Sequence, residues 1–210
     1  MRRACATACA LLVLLPAGGA QARRHHHKPK PTCTPKGAKT VEAGARVRVF
    51  TLTKGDSTNL YACRLSNKKR FLLASADEAG GTGDSVSLVR VAGRFVAWDS
   101  QPFDDSERYN PDFQGFPSGV HALDTSTGKR RTAPATSGNP SASTVTALVL
   151  NPSGSFAWIG SGGALEVHRY DATGDTILDS GTGIDPASLA ASAAQLYWLN
   201  AGAPRTASFG

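Results

Sequence analysis

Three segments of the chain set an apolar pair or triplet directly against a tryptophan: Phe95-Val96-Ala97-Trp98, Phe156-Ala157-Trp158 and Leu196-Tyr197-Trp198. Each follows a shorter apolar run and a tight turn. These are Leu88–Val91 with Ala92-Gly93, Leu148–Leu150 with Asn151–Gly154, and Leu189–Ala191 with Ser192–Ala194. Apolar run, turn and apolar run is the signature of paired strands. Its return at fixed places means that one small sheet, unable to bury both of its faces, is repeated so that neighbours share an apolar layer. Helical alternatives find no support, because no window longer than about ten residues sustains a 3.6-residue apolar period.

A second hairpin follows the first two tryptophan segments. Val120–Asp124 leads into the turn at 125–129, and Glu166–Asp171 leads into Ala172-Thr173-Gly174. Upstream, Val47 and Val49 alternate with Arg46 and Arg48, and Leu60–Leu65 runs into Ser66–Arg70. Strand, turn, strand, loop, strand, turn, strand at roughly 40–60 residues per unit is the layout of a propeller blade. The expected fold is therefore all-β: an antiparallel β-propeller-like repeat of about four blades, either a closed minimal ring or an open stack. The units are Lys39–Ser75, Ser85–Thr136, Thr144–Gly181 and a short fourth from Ile184 that lacks an outer strand. Recurrence makes the tryptophans packing residues between blades, and the Asp-x-x-x-Gly turns a structural device in which Asp bonds the turn backbone.

Leu123-Asp124-Thr125-Ser126-Thr127-Gly128-Lys129, with a weaker echo at 170–174, resembles the repeats of WD40-like, TolB-like and quinoprotein-like β-propellers. Over residues 40–210 the chain is similar to exported bacterial proteins with such repeats. The resemblance implies architecture and no particular activity. Where the quinoprotein repeat carries a tryptophan after Gly-Lys, this chain has Arg131-Thr132-Ala133, so no cofactor is expected.

The first 22 residues read as a signal peptide: Met1-Arg2-Arg3, an apolar core to Leu15, breakers at Pro16, Gly18 and Gly19, and Ala20-Gln21-Ala22 for cleavage. The apolar core is too short to span a bilayer, and Cys5 and Cys9 lie too early for a lipid anchor. Secretion or residence in the cell envelope is expected. Once Cys5 and Cys9 leave with the leader, Cys33 and Cys63 remain, and an oxidising compartment favours their disulfide. Residues 23–38 form an extended basic His/Pro-rich arm before a domain at 39–210. Arg2 and Arg3 lie in the leader, and Arg23, Arg24, Lys28, Lys30, Lys36 and Lys39 fall in a stretch without acids. That leaves 15 cations and 16 acids for residues 40–210, too little positive charge for nucleic-acid recognition. The arm offers contact with anionic envelope polymers, and His25, His26 and His27 are weak candidates for a metal ion.

Catalytic patterns are scarce. Neither a G-x-S-x-G elbow nor a phosphate-binding glycine loop occurs, and the glycines at 79–83 and 160–163 read as connecting turns. His121 and His168 occupy equivalent places before their hairpin turns, which assigns them to blade faces. Residues 99–119 stand apart as a long insertion carrying Asp99, Phe103, Asp104, Asp105, Glu107, Tyr109, Asp112 and Phe113. Carboxylates among aromatics suit a cation, a sugar or a basic peptide, and long insertions are often functional. The expected role is a non-catalytic binding or scaffold module for a protein or glycan ligand. The alternative is a glycan-active hydrolase or lyase using acids of this insertion.

Overall fold

The computed structural model describes residues 32–109, 115–138 and 143–209. The expected leader at 1–22, most of the expected basic arm with His25, His26 and His27, and Asp112 and Phe113 lie outside these residues.

Every strand pairing is antiparallel, and the described residues contain one short 3-10 turn at Asp105–Tyr109 and no α-helix. Strands β1 (Lys39–Ala43), β2 (Val47–Lys54), β3 (Ser57–Arg64) and β4 (Arg70–Asp77) form a first meander. A second comprises β6 (Val89–Ala92), β7 (Phe95–Asp104), β8 (Gly119–Asp124) and β9 (Arg130–Pro134). The third is β10 (Thr144–Leu150), β11 (Phe156–Ser161), β12 (Leu165–Asp171) and β13 (Gly174–Gly181). Three strands end the chain: β14 (Ala190–Ala191), β15 (Gln195–Asn200) and β16 (Ala203–Ser208).

The core is divided into layers between successive meanders. Val47, Val49 and Leu60 pack on Val89, Val96 and Trp98, sealing the first meander to the second. Ala97, Val120 and Ala133 meet Val145, Phe156 and Trp158 in the next layer. Ala157, Ile159 and Val167 meet Leu196, Trp198 and Phe209 in the third. Each tryptophan thus faces the preceding meander and is fully or nearly buried. An aromatic of this size removes on the order of 200 Å² from water, an upper estimate of roughly 5 kcal/mol each by area. Strand alternation explains which side chains enter: along β15, Leu196 and Trp198 are buried, while Tyr197 and Leu199 face outward.

The outer face of the first sheet is covered from the N-terminal side. Cys33 and Cys63 lie at disulfide distance, with Cα atoms 5.5 Å apart. Around them Phe50, Leu52, Tyr61 and Ala38 close a fourth apolar cluster. The bridge therefore pins the end of the basic arm over a face that would otherwise meet water.

Two expectations are corrected. The glycine-rich stretch at 79–83 is not only a turn: β5 (Thr82–Ser85) pairs with β4 on one side and with Gln101–Asp104 of β7 on the other, joining the first two meanders into one sheet. Gly83 is required there, since a Cβ would come within 2.5 Å of the Ala76 Cα. The 160–163 stretch begins inside β11, where Gly160 rests so close to Ala135 that a Cβ would lie 1.8 Å from its carbonyl oxygen.

Candidate functional site

The insertion at 99–119 is shorter as a loop than its composition suggests. Residues 99–104 extend β7, and only from Asp105 does the chain leave the sheet. Pro102 hid this, but beyond Ser100 the strand has β5 as a neighbour on one side and β8 no longer on the other. A proline is tolerated where one side of the strand has no partner to receive its missing N–H.

The acids of this segment have separate local duties. Asp99 is buried, and its carboxylate accepts from Ser87 N at 2.9 Å, Leu88 N at 2.6 Å and Ser87 Oγ at 2.5 Å. It thereby caps the kink between β5 and β6. Asp104 accepts from Ser106 N at 2.9 Å and Ser106 Oγ at 2.6 Å, and these bonds hold its carboxyl below the usual range. Phe103 is half-buried opposite Gly83 on β5. Asp105 is exposed and its N–H donates to Gly81 O at 2.7 Å. Glu107 lies half-buried in the 3-10 turn, which ends at Tyr109; the Tyr109 side chain, Asp112 and Phe113 are outside the described residues.

The segment nevertheless has acidic company. The neighbouring turn carries Asp77, which accepts from Gly80 N at 3.2 Å, and Glu78, whose N–H donates to Asp56 O at 3.0 Å. Asp56, Asp77, Glu78 and Asp105 thus meet in adjoining turns at one end of the meanders. Sequence separation concealed this grouping, which the β4–β5 and β2–β3 turns create.

A second arrangement was legible only as a repeat. His121 is the cross-strand neighbour of Trp98, and His168 of Trp158. The rings stack at 5.1 Å in the first pair and 4.7 Å in the second. Their polar partners differ. His121 bonds Ser100 Oγ at 2.8 Å and Thr132 Oγ1 at 3.0 Å. Burial pushes its pKa below 6.5, outweighing the pull of Asp84 and Asp99. His168, 1% exposed, lies between two carboxylates, with Nδ1 3.0 Å from Asp175 and Nε2 2.9 Å from Glu166. Burial opposes its charge, but the bonds to Asp175 and Glu166 prevail and raise its pKa above 6.5. Glu166 also accepts from Ser137 N at 2.7 Å and Oγ at 2.5 Å; together with His168 these outweigh burial and lower its own pKa.

Equivalent places on successive meanders thus shift their imidazoles in opposite directions, His168 upward between two carboxylates and His121 downward by burial. Since the two carboxylates bond opposite nitrogens of one ring, the trio offers no common point for a metal. Among the described residues no three ligand-type side chains converge on a cation site. This chain matches no protein-family model, and no curated protein or solved structure matches it either.

Proposed function

We propose that the chain is an exported, non-catalytic binding module of the cell envelope or extracellular space, built as a propeller-like stack of about four blades. The layering of buried clusters between successive meanders supports the stacked architecture, and the leader-like first 22 residues support export. The binding face is the end that carries the 99–119 segment, and the ligand is a protein or glycan that complements acids.

One observation carries the non-catalytic reading. Asp99, the most enclosed acid of the segment, spends its carboxylate on three donors from Ser87 and Leu88. A glycosidase needs two carboxylates about 5–10 Å apart across a pocket, one able to exchange a proton with substrate. Of the segment's other described acids, Asp104 ends β7 and Asp105 and Glu107 lie in the 3-10 turn, a placement suited to contact.

The test is to express the full chain with its leader and incubate the released protein with insoluble envelope glycan. The expected result is an N-terminus at Arg23 and retention on the glycan without new reducing ends. Reducing ends that vanish in Asp104→Asn or Glu107→Gln would establish the hydrolase instead. A chain that stays inside the cell with residues 1–22 attached would remove the export reading.

A further inference from the structure

Antiparallel meanders send alternate turns to opposite ends of a sheet, so a strand's direction decides where its flanking charges go. The turns at 44–46, 65–69, 93–94, 125–129 and 151–155 collect at the end away from the 99–119 segment. Leu65 N donates to Arg46 O at 2.9 Å, and Arg64 Nη1 reaches Thr125 O at 3.4 Å and Ser126 O at 3.3 Å. Arg131 Nη1 donates to Gly154 O at 3.2 Å. Turns of three meanders thereby form one continuous rim. Among the described residues this rim gathers Arg46, Arg64, Arg94, Lys129 and Arg131, with Asp124 and Asp171 as the acids at its turns, while Asp56, Asp77, Glu78 and Asp105 stand at the other end.

Two grooves cross the basic rim. One, of about 600 Å³, is lined by Arg46, Arg64 and Arg94 beside Leu65 and Ser126. The other, of about 200 Å³, is lined by Arg94, Lys129 and Arg131 with Phe95 and Gly154. Arg94 is common to both, and its side chain is half-exposed. Asp124 is the single carboxylate lining either groove, and it is already engaged. Arg94 Nε lies 3.2 Å from it, and Ser126 N and Oγ donate to it at 2.8 and 2.6 Å.

Five cations line the grooves beside Asp124; Asp171, already paired with Arg169 Nε at 3.0 Å, is the other carboxylate that feels Arg131, so positive charge predominates along the rim. Two of them, Arg64 and Arg131, are fixed by backbone carbonyls that leave other guanidinium donors open. The Arg46 and Lys129 head groups have no hydrogen-bond or ion-pair partner among the described residues. Fixed forks of this kind suit bidentate oxyanions, and a row of them suits a chain of such groups.

We propose that this rim binds a linear polyanion, a polymer bearing a phosphate or carboxylate on each repeat, laid through both grooves across Arg94. Single-stranded nucleic acid would add base stacking on exposed aromatics, but the aromatic here, Phe95, is buried and carries Arg94 over its own ring at 4.8 Å. A polymer without bases fits better. The site lies opposite the 99–119 end and does not depend on the function proposed for that end.

The full-length protein is titrated with polyphosphate, polygalacturonate, neutral dextran and single-stranded DNA over a salt series. Polyphosphate or polygalacturonate binds, the stronger of the two identifying the anion, and affinity falls as salt rises. The triple variant Arg46→Gln/Arg94→Gln/Lys129→Gln weakens binding about ten-fold or more and flattens the salt slope. Lys54→Gln/Arg90→Gln/Arg205→Gln removes as many cations away from the rim and leaves affinity within about three-fold. If the triple variant fails to fold, Arg46→Gln/Lys129→Gln, which breaks no described contact, gives the smaller loss in the same direction. Equal losses in rim and control variants would overturn the site. So would binding that disappears on deleting residues 23–31 while the rim variant binds normally, tighter binding of DNA than of either polymer, or no polyanion binding at low salt.

Discussion

Replacing His168 by glutamine removes a buried imidazole from between Glu166 and Asp175 while keeping a side chain that can still donate. Hydrogen bonds to charged groups contribute about 1.5–3 kcal/mol each. The Glu166 and Asp175 side chains keep 15% and 27% exposure, so water takes over part of each lost bond. Loss of the ring stack on Trp158 adds roughly 0.5–1 kcal/mol. The variant should therefore be about 2–3 kcal/mol less stable near pH 6. The deficit depends on pH with a definite sign. Because the folded pKa of His168 lies above 6.5, its stabilisation is fully present below pH 6.5 and is lost as pH rises through the folded value. The slope can reach about 1.4 kcal/mol per pH unit. Glu166, lowered beneath 4.5, adds stability present above pH 4.5 and lost as pH falls through its folded value. The difference between wild type and variant is then greatest from about pH 4.5 to 6.5 and shrinks toward pH 9. His121→Gln supplies the opposite sign. Its folded pKa lies below 6.5, so the neutral ring's contribution is present above pH 6.5 and fades as pH falls. Urea unfolding followed by tryptophan fluorescence, at half-unit steps from pH 4.5 to 9, measures both. A His168→Gln deficit that stays flat or widens as the solution becomes alkaline would refute the charged-ring account.

Two further outcomes rest on packing. Changing Cys33 and Cys63 together to alanine opens a loop with a sequence separation of 30 and should cost about 3–4 kcal/mol by chain entropy. The urea midpoint should drop to the same place when wild type is reduced, and an unmoved midpoint would show that the bridge stabilises nothing. Gly160→Ala would drive a Cβ to 1.8 Å from Ala135 O, a backbone clash expected to cost about 2–3 kcal/mol. Gly138→Ala, with its nearest neighbour at 3.6 Å, should stay within about 0.5 kcal/mol, and equal losses in the two would disprove the close approach.

Much of the strand content was readable, because a half-buried strand writes its alternation locally. Val47 and Val49, and the apolar runs ending at Trp98, Trp158 and Trp198, all became buried strands. The reading failed where local chemistry and pairing disagree. Gln101-Pro102-Phe103-Asp104 has the composition of a loop, yet β5 holds it as strand because pairing needs backbone groups and tolerates one proline at an open edge. In the sequence Asp99 stands among the carboxylates of the insertion, yet the donors that bury it come from Ser87 and Leu88, across a strand pairing that its own neighbours do not reveal. Glu166 stands two residues from His168 on the same strand face, so half of that trio was within reach of a period-2 reading. Asp175 was not, because it arrives from β13 through a register interrupted by a bulge.

By itself the amino-acid order determined a repetitive all-β chain, the stretches able to become strands, and the tryptophans that pack them. It also determined a nearly even balance of charge over residues 40–210. Only the tertiary structure decided where those charges stand. Each strand reverses the direction of the last, so residues adjacent in sequence can face opposite ends, and turns sixty residues apart can share a rim, as Arg64 and Ser126 do. The same holds for titration: His121 and His168 are alike in sequence context, and the direction in which each pKa moves follows from whether neighbouring strands present hydroxyls or carboxylates to the buried ring.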